Sequence, residues 1–235
     1  ANIEFVFSNR EQGEAEGSDQ FFKLVKSYGI PLITHSAARY RMEHGGGPIS
    51  RHRGPFHAEV MKLISDFTTN ISVLAGYMLI TSPALCQRYT MINVHPALPG
   101  GPSGTWKEVI WELIDQNALE SGVMIHLVSK VVDMGPVLTY CSFPIRGAAF
   151  DPLWREIQGC SIDELTAQGE DQPLFKLIRQ EGIRREGPLL LEALKAMTSS
   201  RLMLPGGQVF DAGGTPARGI RLDNEVERFL KANGD

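Results

Sequence analysis

Ile3-Glu-Phe-Val-Phe7 and Ile30-Pro-Leu-Ile-Thr34, with an amphipathic stretch between them, decide the fold class. The first run is strand-like and ends at the turn formers Ser8 and Asn9. Ser18 and Asp19 can cap a helix to about Tyr28, in which Phe21, Phe22, Val25 and Lys26 recur at helical spacing, and Gly29 is placed to end it. A short apolar run, a helix and another short apolar run predict a parallel sheet covered by helices, an α/β fold.

The same rhythm continues outward from this unit. Ser36 to Gly54 is polar and holds four arginines and the triplet Gly45-Gly46-Gly47, so a loop is expected. A helix is predicted from about Phe56 to Phe67, and Ile71 to Ala75 reads as a strand buried on both faces. A short helix from Pro83 to Tyr89 precedes the strand Met91 to Val94, which delivers His95 at the sheet edge where α/β proteins bind ligands. Thr105 to Glu120 reads as a helix with Val109, Ile110, Leu113 and Ile114 on one face. Gly122 to Val128 and Val137 to Ile145 read as strands joined through Asp133, Met134 and Gly135. Beyond them, 151–169 is expected to be irregular or partly helical and 173–197 helical. Arg201 to Phe210 reads as a hairpin, and a last helix is capped by Asp223 and Asn224.

A chain of 235 residues, 43% hydrophobic and 21% charged, can bury a substantial core. Its net charge of -4 comes with mixed signs and no basic stripe, which argues against nucleic acid as a partner and favours a small molecule. Cys86, Cys141 and Cys160 are an odd number without a C-x-x-C pair, consistent with a reducing, cytoplasmic setting. No apolar run approaches the roughly 20 residues of a membrane span. His35, His44, His52 and His57 lack metal-ligand spacing, so no metal is expected.

Asn93-Val94-His95-Pro96 places an amide and an imidazole two residues apart on a strand, hence on one face. Two such donors can hold the oxyanion of an acyl-transfer intermediate. Taken alone, the pattern is equally consistent with two side chains satisfying the turn backbone. Asp133, beside Gly135 and Pro136, reads locally as a turn former. If its loop overhangs the same cleft, a carboxylate can orient and charge the imidazole for proton handling. His126, alone in an apolar strand, is expected to play a supporting role at most.

Three segments together carry a resemblance: Leu74-Ala-Gly-Tyr-Met-Leu-Ile-Thr-Ser-Pro83, Ile92-Asn-Val-His-Pro-Ala-Leu-Pro99, and Ile125-His-Leu-Val with Val132-Asp-Met-Gly-Pro-Val137. In order and near-spacing they resemble the folate-dependent formyltransferases, in particular the branch acting on glycinamide ribonucleotide in purine synthesis. The resemblance covers about residues 2–145. It implies a Rossmann-like, mainly parallel sheet and transfer of formyl from 10-formyltetrahydrofolate, a co-substrate, to a primary amine, with no metal. It implies Asn93, His95 and Asp133 as catalytic residues, Met78, Leu79, Ile80, Thr81, Ser129, Lys130 and Val131 around the folate, and Val94 and Pro96 beside the amine. A formyltetrahydrofolate hydrolase or a non-catalytic folate binder are the alternatives.

Residues 1–150 are expected to be the catalytic domain and 151–235 a helical extension with a hairpin, packed on the same domain. The likeness starts at the family's second strand. The first strand, its phosphate-gripping Gly-rich turn and the following helix are therefore expected to be missing, leaving unpaired sheet flanks and weak activity. Ala97-Leu98-Pro99-Gly100 replaces the family's usual segment after the histidine, and Glu181 and Glu186 compete for its ribose-binding glutamate.

Overall fold

A computed structural model describes residues 2–234. It divides into two compact units, Ala1–Met91 and Ile92–Asp235. Both combine strands with helices, as the α/β reading requires.

In the first unit β1 (Val6–Ser8), α1 (Glu16–Ser27) and β2 (Leu32–Thr34) form the expected β-α-β unit, with β1 parallel to β2 and Val6 opposite Leu32. Phe22 and Val25 are the buried face of α1, and Gly29, at a φ of 67°, turns the chain out of it. The start of α1 differs from the sequence expectation: the N-cap is Ala15, and Asp19 instead accepts the Gly13 N–H at 2.9 Å. A carboxylate in the first turn serves the helix end from inside the helix as well as from the cap.

The expected loop at 36–54 holds α2 (Ala37–Glu43) and a 3-10 turn at Ile49–Arg51. Ser36 starts α2 by accepting the Arg39 N–H at 2.9 Å, and Tyr40 is buried against Phe56, Val60 and Ile64. The glycine triplet ends this helix, all three residues having positive φ. There follow α3 (Arg53–Leu63), β3 (Ser72–Leu74) and α4 (Pro83–Arg88), the last capped by Ser82. The strand expected at 71–75 is present but only half-buried, and it is not in the sheet formed by β1 and β2.

His57 of α3 is fully buried, its Nδ1 accepting the Ser82 N–H at 3.1 Å and its Nε2 donating to Tyr77 Oη at 2.9 Å. Burial, and then the Arg53 charge, push its pKa down from 6.5 to about 4 against the opposing Arg53 carbonyl. The unfolded chain takes up this proton near pH 6.5 and the folded chain only near 4, so stability is complete above 6.5 and falls between those values. The loss across that window is expected to be about 3 kcal/mol greater in the wild type than in His57→Asn. Urea unfolding at about pH 8 and about pH 4.5 measures it; parallel pH profiles would contradict a neutral buried ring.

The second unit is built on β4 (Met91–His95), β5 (Glu120–Leu127), β6 (Val137–Pro144) and β9 (Ile220–Arg221), in that order across the sheet. The β4–β5 and β5–β6 pairs are antiparallel and β6–β9 is parallel, so the sheet is mixed. The nine-residue span between β5 and β6, residues 128–136, allows only an antiparallel return. Between β4 and β5 lies α5 (Trp106–Asp115), opened by a capping box in which Thr105 Oγ1 accepts the Glu108 N–H and Glu108 accepts the Thr105 N–H at 2.7 Å. It ends before the expected Glu120 because Asn117, with a φ of 53°, turns the chain into β5. Thr105→Ala is expected to lower stability by about 1 kcal/mol, read from the denaturation midpoint.

α6 (Asp151–Glu156) and α7 (Ile162–Thr166) lead to α8 (Pro173–Thr198), which crosses β5 and β6. Phe143, Ile145, Trp154, Leu174, Phe175 and Ile178 fill the core beneath. The hairpin expected at 201–210 is present as β7 (Leu202–Met203) and β8 (Phe210–Asp211) around a 3-10 turn at Pro205–Gly207. α9 (Asp223–Ala232) ends the unit, tied to α8 by Arg185, which bonds Glu181 and Glu227 at 2.6 Å each. Its expected cap differs: Asp223 accepts the Ser142 N–H at 2.9 Å and pairs with Arg221 at 2.7 Å, fastening the helix to β6.

Candidate active site

The three residues singled out in the sequence, with His126, converge in the second unit. β4 alternates its side chains, so Asn93 and His95 share a face. Antiparallel pairing sets Asn93 directly opposite His126 on β5, and Asn93 Nδ2 lies 3.3 Å from His126 Nε2. His126 Nδ1 is 3.0 Å from the Leu127 carbonyl, to which it can only donate. Its Nε2 is therefore the acceptor in a neutral ring, and it takes an N–H of the Asn93 amide. Burial is the main cause that holds the His126 pKa below the ordinary histidine value, and it overrides the Leu127 carbonyl and Asp133, which favour the charged ring.

Asp133 reaches this pair because of how residues 128–136 fold. Asp133 has a φ of 54°, a left-handed conformation that Asp tolerates better than most residues. Leu127 N–H donates to the Pro136 carbonyl at 2.9 Å, and Gly135 presses against the end of β5 so closely that a Cβ there would lie 1.6 Å from the Leu127 carbonyl oxygen. The connection thus returns over the sheet end with the Asp133 carboxylate aimed inward. Its Oδ2 is 3.7 Å from His95 Nδ1, its Oδ1 is 3.7 Å from His126 Nε2, and Oδ2 accepts the Gly104 N–H at 3.3 Å. At 3.7 Å the carboxylate acts on both rings through charge more than through a formed hydrogen bond. His95 Nε2 donates to the Pro102 carbonyl at 2.9 Å, which leaves Nδ1 facing the Asp133 carboxylate across 3.7 Å. His95 is 2% exposed, and the low-dielectric surroundings strengthen each of these interactions.

A model of the formyl transferase family matches residues 1–148. The chain belongs to the formyl transferase family. Over 153 residues it is 31% identical to a phosphoribosylglycinamide formyltransferase of Dictyostelium discoideum, spanning 61% of this chain and 70% of that one. Over 152 residues it is 32% identical to the protein of that name in Schizosaccharomyces pombe, spanning 62% and 69%. The fold resembles that of a phosphoribosylglycinamide formyltransferase from Coxiella burnetii, with a TM-score of 0.58 at 24% identity over 94% of this chain and 85% of that one.

The other residues implied by the family resemblance divide by unit. Met78 and Ile80 are exposed, Leu79 packs into the first unit's core, and Thr81 is buried with its Oγ1 3.2 Å from Cys86 Sγ. In the second unit Val94 and Pro96 are half-buried, Val131 is exposed, and Ser129 Oγ donates to the Val131 carbonyl at 2.7 Å. A cavity of about 670 Å³ lined by Asp115, Arg146, Trp154, Arg155 and Cys160 includes none of the four converging residues. Among the described residues no group of His, Cys, Asp and Glu could hold a metal ion, and no helix is long and apolar enough to cross a membrane.

His126 is the fourth side chain of the cluster, where it holds the Asn93 amide. Its one signal was its parity in β5, which has meaning only once the register with Asn93 is known.

Proposed function

We propose that this formyl transferase moves the formyl group of 10-formyltetrahydrofolate to the amine of glycinamide ribonucleotide. The observation that carries the reading is a single carboxylate, Asp133, 3.7 Å from two imidazoles, one of which holds the amide of Asn93. Family membership and the names of the relatives support the same chemistry.

In the proposed step the substrate amine attacks the formyl carbon, a new C–N bond forms, and the carbonyl electron pair moves onto oxygen. Asn93 uses one N–H on His126 and has a second for that oxyanion, while a charged His95 lowers its energy through the field. Asp133 takes the amine proton, directly or through water, and returns it by the same route to the folate nitrogen as the oxyanion's pair re-forms the carbonyl and the bond from the formyl carbon to that nitrogen breaks. Met78 to Thr81 and Ser129 to Val131 are proposed as folate contacts, and Val94 and Pro96 as contacts of the amine. Residues 1–150 are proposed as the catalytic region. Residues 151–235 are read as its extension, a view supported by α8 lying on β5 and β6.

The test is spectroscopic: the protein is mixed with 10-formyltetrahydrofolate, with and without glycinamide ribonucleotide. Folate consumed only with the amine supports transfer. Consumption without the amine would make the protein a hydrolase, and binding without turnover would make it a folate binder.

A further inference from the structure

Residues 77–82 of the first unit have no regular structure, yet they alternate like a strand. Tyr77, Leu79 and Thr81 turn inward, whereas Met78 is 65% and Ile80 51% exposed. Exposed apolar side chains on an irregular segment make a poor wall for a flat ring unless the segment is held before the ligand arrives, because the ordering cost would otherwise fall on binding.

Both ends of this segment meet one side chain. His57, projecting from α3, donates from Nε2 to Tyr77 Oη at 2.9 Å and accepts the Ser82 N–H on Nδ1 at 3.1 Å. Ser82 is also the N-cap of α4, its Oγ accepting the Leu85 N–H at 3.3 Å, so the second bond links α3 to the start of the next helix. Between the two ends Leu79 packs against the buried cluster of Ala37, Tyr40, Phe56, Val60 and Ile64. The arrangement needs an acceptor and a donor on one ring, which only the neutral imidazole supplies. Burial keeps it neutral throughout the physiological range.

We propose that His57 is a positioning residue for folate binding: by bonding Tyr77 Oη and the Ser82 N–H together it clamps residues 77–82 at both ends and holds Met78 and Ile80 outward to meet the formyl donor. The proposal rests on the formyl-transfer reading for its ligand. The clamp itself is a property of the free protein.

The experiment compares His57→Phe, which fills the space without either bond, His57→Asn, whose amide oxygen can replace Nδ1 towards Ser82, and Tyr77→Phe, which removes the phenol alone. Amide hydrogen exchange at Leu79 to Ser82 is read in the free proteins, and KM for 10-formyltetrahydrofolate and for the amine in the assay. His57→Phe is expected to speed exchange at Ser82 and raise the folate KM about tenfold, the effect of losing roughly one hydrogen bond, with the amine KM unchanged. His57→Asn should restore protection at Ser82, and Tyr77→Phe should shift the folate KM in the same direction by less. Unchanged exchange in both His57→Phe and Tyr77→Phe, or a parallel rise of both KM values, would overturn the proposal. Should His57→Phe fail to fold, Tyr77→Phe decides it alone. A wild type that neither binds nor consumes the folate would sink the formyl-transfer reading and the folate role of the clamp together, while the exchange data would still report whether the clamp exists.

Discussion

Asp133→Asn is expected to lower kcat by about a hundred- to ten-thousand-fold, because it removes a proton acceptor and the one carboxylate placed between two imidazoles. The substitution is selective for charge. Asparagine tolerates the left-handed conformation that Asp133 adopts, and its amide oxygen can still accept the Gly104 N–H, so the loop should keep its path. What is lost is the negative charge 3.7 Å from His95 and His126. KM for both substrates should move little, since the carboxylate is assigned to proton transfer and not to holding either molecule. Steady-state kinetics with a thermal melt on the same sample checks this. A normal kcat in a folded variant would remove Asp133 from the mechanism.

Gly135→Ala is expected to cost about 3 kcal/mol of stability and most of the activity. The added carbon would sit 1.6 Å from the Leu127 carbonyl oxygen and 2.7 Å from its carbonyl carbon, both backbone atoms at the end of β5. No rotamer change relieves such a clash. Either the Leu127–Pro136 hydrogen bond opens or the whole connection lifts, and in both cases Asp133 is carried away from the imidazoles. Gly122 lies farther along the same strand, where a Cβ would meet Leu98 and the Cys141 carbonyl at about 2.5 Å, so Gly122→Ala serves as a control. It should destabilise the sheet while leaving the Asp133 loop alone. Urea denaturation gives the stability of each variant, and activity under conditions where both remain folded separates them. Wild-type activity in a folded Gly135→Ala protein would show that the placement of Asp133 does not depend on this close approach.

The strand and helix sequence was legible from the chain because hydrophobic period and turn residues act over a few neighbours. The β-α-β opening, the apolar face of α5, the long α8 and the hairpin near the C-terminus all follow from such local patterns. So does the shared face of Asn93 and His95, since a strand repeats every two residues. Tertiary structure decided the rest, and chiefly the partnership of Asn93 with His126, 33 positions apart, which depends on register. The inward aim of Asp133 needed a left-handed residue and a glycine pressed against another strand, and neither has a signature of its own. For the same reason Asp19 and Asp223, both plausible caps by position, were drawn to other partners, and His57, without any motif, became the link between Tyr77 and Ser82. A polar side chain's type states what it can bond, but only the packed chain determines which group lies within about 3 Å of it.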